Sequence, residues 1–378
     1  MSRDRGKNPQ INLSEKPQSD GGAGSYESHG TAFTVTNGTG NLPEGFTKYI
    51  HTPNIKQITL DGYLQDGSKV RTGIPIENVT EVSAYYWDGQ PDIPILLRIK
   101  QNKKRATEYY GRFSAKSWFS SKVENMEEQE ALDHQNCYIN GAIPIDLTNP
   151  TDIEQFKFGK EKSNCLKNAF IEPSNKSNLP PGATNYKVCA YQLTGGKRIS
   201  RLTYDGQPTN IPPYTQYGPT LNIYYWKEEP SVPLIVEFKP TQGDSTWYEN
   251  AGKNLHYTSW KQILQPDVLS FYNLRGELTD DFIIKLNEIN CNLNDVLQID
   301  IRNKPGEQYC HGKTNDGHAK KVSVKPEKVK ISGFGAYKHY MKYFSGSNNF
   351  HVSGFTGYLT LRGFRELPFR NATGVIVF

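Results

Sequence analysis

Cys310, His311 and His318, with Asp316 nearby, have the side-chain types that bind zinc. The same stretch contains Asn315-Asp316-Gly317, which reads as a hairpin turn, so no metal site and no cofactor are assigned. Tyr85, Trp87, Tyr224 and Trp226 can form aromatic platforms for a sugar or a peptide, or a second layer of core. His51 and His339 sit in matching contexts where a third context has Val188, which points to strand pairing rather than shared catalysis. Asp146 and Asp300 also match, with Asn12 as their counterpart. A catalytic carboxylate pair needs a second acid at fixed spacing, and none is present, so these read as edge-strand or turn residues. Lys103-Lys104-Arg105 and Lys320, Lys321, Lys325, Lys328 and Lys330 are short basic runs that suit solvated loops and strand faces. No Ser-His-Asp pattern, P-loop or dinucleotide fingerprint occurs. No catalytic residue is assigned.

The elements that must position these residues repeat. Tyr85-Tyr86-Trp87, six residues, then Pro94-Ile95-Leu96-Leu97-Arg98-Ile99 returns 139 residues later as Tyr224-Tyr225-Trp226, six residues, then Pro233-Leu234-Ile235-Val236-Glu237-Phe238. Leu132-x3-Asn136-Cys137-x2-Asn140 returns 154 residues later as Leu286-x3-Asn290-Cys291-x2-Asn294. Ile11-Asn12-Leu13 and Gly45-Phe46-x2-Tyr49-x-His51 return 288 residues later as Ile299-Asp300-Ile301 and Gly333-Phe334-x2-Tyr337-x-His339. The reading is three tandem units: 10–140, 141–294, and a truncated third at 295–378, after a lead-in at 1–9. The composition of residues 1–30 extends the disordered character of that lead-in. The third unit stops inside the strand that should carry the aromatic triplet, so truncation is expected.

Each unit reads as mainly β, an antiparallel sheet or sandwich closed by one short helix. Val82, Ala84 and Tyr86 alternate with Ser83, Tyr85 and Trp87, which gives a strand with one buried face and a second, partly aromatic one. Ile95, Leu97 and Ile99 continue the buried face, with Arg98 outward; Leu234, Val236 and Phe238 do so in the second unit, with Glu237 outward. A helix over Asp280–Asn290 carries an apolar stripe of Phe282, Ile283, Leu286 and Ile289, with Thr279 as N-cap. Its counterpart, Val123–Asn136, is acidic and expected to lie loosely on the surface. Cysteines flank matching strands at each junction, so Cys137–Cys165 and Cys291–Cys310 are disulfide candidates, each closing a loop worth roughly 3 kcal/mol. Cys189 is left over.

The 23 Tyr, 17 Phe and 5 Trp suit modest cores with wet aromatic surfaces, and the mild net charge of +5 gives no expectation of nucleic acid. No apolar run is long enough for a membrane span, and no secretory signal stands at the N-terminus.

The Tyr-Tyr-Trp strand, the Pro-led strand after it, the pairs Tyr109-Tyr110 and Trp247-Tyr248, and the later Trp118 and Trp260 resemble the FAINT family (frequently associated in Theileria) of apicomplexan parasites. The resemblance implies a member of an expanded family often exported towards the host, without an established activity. The expected function is therefore non-enzymatic, with a protein or glycan partner from host or parasite. A hydrolase in one diverged unit, or a structural or immune-decoy coat protein, are the alternatives.

Overall fold

The computed structural model describes residues 7–18, 21–38, 40, 42–70, 75–102, 108–148, 173–174, 179–180, 183, 185–252, 257–294, 296–300, 304–306, 308–313, 319–328, 335–342, 350–356, 369–372 and 374–377. The first block contains β1 (Gly24–Ser28), β2 (Thr31–Asn37), β3 (Phe46–Pro53), β4 (Ile58–Leu60), β5 (Lys69–Val70), β6 (Ile76–Trp87), β7 (Gln90–Gln101), β8 (Glu108–Ser114), β9 (Ser117–Phe119) and α1 (Glu128–Asn140). The second contains β10 (Ala142–Asp146), β11 (Pro173–Ser174), β12 (Tyr186–Gln192), β13 (Arg198–Tyr204), β14 (Gln207–Pro208), β15 (Thr220–Trp226), β16 (Glu229–Lys239), β17 (Thr246–Asn250), β18 (Trp260–Ile263) and α2 (Asp280–Asn294). The third contains β19 (Val296–Asp300), β20 (Gln308–Lys313), β21 (Ala319–Glu327), β22 (Ala336–Lys342), β23 (Phe350–Thr356), β24 (Phe369–Ala372) and β25 (Val375–Val377). The fold is mainly β.

Proline cannot donate to a ladder, so a strand carrying one in mid-course bulges there. Both central hairpins do so at the same rungs. Tyr85 pairs Leu96, Tyr86 pairs Pro94 and Trp87 pairs Gln90; Tyr224 pairs Ile235, Tyr225 pairs Pro233 and Trp226 pairs Glu229. The skipped residues, Ile95 and Leu234, turn to the opposite face. They join the clusters of Tyr85 and Tyr224 instead of those holding Leu97 and Val236, which corrects the simple alternation. The large sheets follow matching paths, β3-β6-β7-β8-β9 and β12-β15-β16-β17-β18. In the third block β20-β21-β22-β25 follows the order of β1-β2-β3-β6, and His339 pairs Val375 as His51 pairs Val82.

Parallel pairing, which the sequence did not suggest, links each junction. β10 runs beside β13 and β19 beside β23, with an irregularity after the second rung in both. Ile143, Ile145 and Leu147 cover one face of the second large sheet, and Ile11 and Leu13 cover that of the first. A stretch expected to be disordered thus contributes core residues and β1.

The other face of each large sheet lies under a helix. On α2, Phe282, Ile283, Leu286 and Ile289 are buried as the 3.6-residue pattern requires. α1 is not loose: Ala131, Leu132, Asp133, Gln135, Asn136, Cys137 and Asn140 are all buried. Its acidic residues misled because Glu128 is used as a hydrogen-bond and ion-pair acceptor beneath the helix.

Candidate functional site

Helix cover decides the fate of the aromatic platforms. Tyr85, Trp87, Tyr224 and Trp226 are 0, 0, 2 and 5% exposed. A stacking platform needs an open ring face, so the platform expectation is corrected: these rings are the second core layer. Tyr224 packs edge-on to Phe282 of α2 at 4.8 Å. Trp87 does a different job at the junction. Its indole N–H donates to the Ser200 carbonyl at 3.4 Å, and the Arg198 guanidinium lies 4.7 Å from its ring and 4.6 Å from that of Tyr217. Arg198 also donates to the Asn140 carbonyl, at the end of α1, from Nε at 3.1 Å and from a terminal nitrogen at 2.8 Å. Arg201 completes the clasp with a buried ion pair to Asp133 at 2.6 Å. Burial pushes the Asp133 carboxyl up to about 6 against the opposing pull of Arg201.

The Asn-Cys-x2-Asn signature has a structural meaning. Asn140 Nδ2 donates to Asn136 Oδ1 at 2.9 Å, and Asn294 Nδ2 donates to Asn290 Oδ1 at 2.8 Å. Asp146 and Asn12 also match: each accepts the backbone N–H two residues on, from Thr148 and from Ser14. Burial pushes the Asp146 carboxyl up, but hydrogen bonds from Thr148, Thr203 and Gly206 outweigh it and hold it below the usual range. The turn reading of Asp146 therefore fits. Asp300 ends β19, and its side chain is not described.

His51 is fully buried, and burial lowers its pKa to about 4. Its Nδ1 lies 3.2 Å from the Tyr26 hydroxyl. The ladders correct its counterpart in the second block. His51 pairs Val82, whose equivalent Leu221 pairs Tyr191, so Tyr191 and not Val188 holds that rung.

The strongest contrast lies at the rung of Arg98 and Glu237. Arg98 pairs with Glu81 at 2.6 Å and approaches Glu128 of α1 at 3.9 Å. Glu237, expected to face outward, is completely buried. It accepts from Asn222 Nδ2 at 2.7 Å, Tyr224 at 2.9 Å, Ser245 at 2.7 Å and Tyr272 at 2.7 Å. Tyr272 belongs to an insertion. Ten positions separate Trp118 from the start of α1, but twenty separate its counterpart Trp260 from α2. The extra chain is built rather than loose. Phe271 and Leu278 enter the core, Asn273 Oδ1 accepts the Arg275 and Glu277 N–H groups, and Thr279 N–H donates to the Phe271 carbonyl. Leu264 and Leu269 are nonetheless 63 and 68% exposed, and Leu274 is fully so. The sequence signal for this insertion is the difference in length between the two stretches.

Other sequence candidates fall partly outside the described residues. Asp316, His318, Lys103–Arg105, Lys330 and Cys165 do so, and the side chains of Cys310, His311, Lys320 and Lys321 are not described. Cys137 and Cys291 are disulfide-bonded, and Cys189 is a buried thiol. Lys325 and Lys328 are exposed, as expected of a solvated face, and Lys325 lies over the Tyr340 ring. Among the described residues, no three His, Cys, Asp or Glu side chains converge as a metal site, and no helix is long and apolar enough to cross a membrane.

No family model, curated protein or solved structure matches the chain.

Proposed function

We propose that the chain is a non-enzymatic protein of tandem units that binds a host or parasite macromolecule. One observation carries the reading: the ladder recurs rung for rung while the polar chemistry on it changes. Arg98 becomes Glu237 and His51 becomes Tyr191, and on the covering helices Asp133 becomes Asn287. These exchanged groups lie inside the units, so they mark the absence of a shared reactive group rather than a contact surface; repeated modules without one suit binding in which linkage raises affinity. The resemblance of the Tyr-Tyr-Trp strands to the FAINT family supports export towards the host.

The test is chemical crosslinking of the tagged full chain in infected cells, with imaging of its location. Saturable crosslinks to a macromolecule, competed by untagged chain, are expected at the parasite surface or in host cytoplasm. Turnover of an ester or glycoside panel, abolished by one side-chain substitution, would replace this reading with the hydrolase alternative.

A further inference from the structure

The exposed leucines of the insertion are held in place by a folded scaffold. Leu264, Leu269 and Leu274 lie within eleven residues of chain, between Ile263 and Leu278, which are both buried. Tyr272 is tied to Glu237, and its ring lies 5.8 Å from that of Trp247 in the apolar layer. The first block reaches its helix without this detour. Single exposed apolar residues are ordinary, but three leucines displayed along one hydrogen-bonded insertion that the first block lacks have the form of an interaction surface.

Charge selects the occupant. From Leu264 through Glu288 the chain carries Asp267, Glu277, Asp280, Asp281 and Glu288 against Arg275 and Lys285, although the whole chain is +5. Lys285 is already engaged by Glu249 at 2.6 Å and Glu288 at 3.3 Å. An anionic lipid surface would be repelled by this border. A peptide with an apolar stripe and cationic flanks satisfies both features.

We propose that residues 264–281 form the docking surface for a basic amphipathic segment of a partner protein. This deepens the interaction reading above and rests on it. Leucine side chains supply the contact and the acidic border supplies orientation and a salt-sensitive on-rate.

The full chain is titrated with a fluorescent Leu-Lys amphipathic peptide, a Leu-Glu peptide of the same apolar pattern, and anionic vesicles. The Leu-Lys peptide should bind and weaken with salt. The triple variant L264S/L269S/L274S should lose at least tenfold in affinity, and D267K/D281K severalfold, with unfolding midpoints close to the parent because all five side chains are exposed. Equal binding of the Leu-Glu peptide, vesicle binding without peptide binding, or an unaffected triple variant would overturn the proposal. If the triple variant keeps the cellular crosslinks, this surface is wrongly assigned while the interaction reading stands; loss of all crosslinks by the parent sinks that reading itself.

Discussion

Phe46 and Tyr186 hold the same rung of sister ladders, opposite Trp87 and Trp226, and differ by one hydroxyl. That hydroxyl donates to Asn287 Oδ1 at 2.6 Å and accepts from Asn290 Nδ2 at 3.4 Å. In the first block the hydroxyl is missing, Asn136 Nδ2 has no hydrogen-bond partner among the described residues, and Asp133 stands where Asn287 does. Arg201 then takes over as the partner of that helix position. Removing the hydroxyl with Tyr186→Phe should cost about 1–2 kcal/mol, since the buried amide of Asn290 and the half-buried one of Asn287 lose a partner. Chemical denaturation measures it.

The Asp133–Arg201 pair should be far more sensitive to halving than to replacement. Asp133→Asn leaves a buried guanidinium uncompensated and should cost about 3–5 kcal/mol. Adding Arg201→Gly, the residue at the matching position of β23, should recover much of that loss. Additive losses in the double variant, read in the same denaturation experiment, would refute the pairing argument.

Acid should act on His51. Its folded pKa, about 4, lies below the ordinary value of 6.5, so its contribution is complete above about pH 6.5 and lost as pH falls towards 4. The expected loss is about 3 kcal/mol. Unfolding midpoints against pH should therefore become flatter on the acid side in His51→Gln.

The exchanged rung makes the two helices poor substitutes for each other. Glu128 of α1 sits where α2 has Phe282, which packs on Trp247 at 5.4 Å. Arg98→Glu places a carboxylate beside Glu81 and Glu128 and should cost about 2–3 kcal/mol. Adding Glu128→Phe, which transplants the pair of the second block, should return part of it. No recovery in the double variant would show that the rung does not match helix to sheet.

Cysteine chemistry gives a further check. Non-reducing mass mapping should find Cys137–Cys165 and Cys291–Cys310, with Cys189 slow to alkylate because burial pushes its thiol up. Five reactive thiols would remove both pairings.

The hairpins were legible because their register depends on local spacing. Tyr85 to Pro94 and Tyr224 to Pro233 have equal lengths, and the ladders followed. The helix cover was not legible, since alternation shows two faces but not what packs on each. The bulge at Ile95 needed the proline to be treated as a ladder defect. β10 and β13 pair across more than fifty residues, beyond any local pattern. Val188 stands opposite Tyr224, so Tyr191, opposite Leu221, holds the rung of His51, a register that only the ladder reveals. The insertion was present as a change in length between Trp260 and α2, but length alone does not reveal exposed leucines.

Amide hydrogen exchange of the full chain tests the shared ladder most directly. Equivalent rungs, Leu96 with Ile235 and Leu97 with Val236, should show matching protection, and the bulged Ile95 and Leu234 should be the weak points of both hairpins. Different protection patterns along the two hairpins, or strong protection at Ile95 and Leu234, would contradict a common ladder.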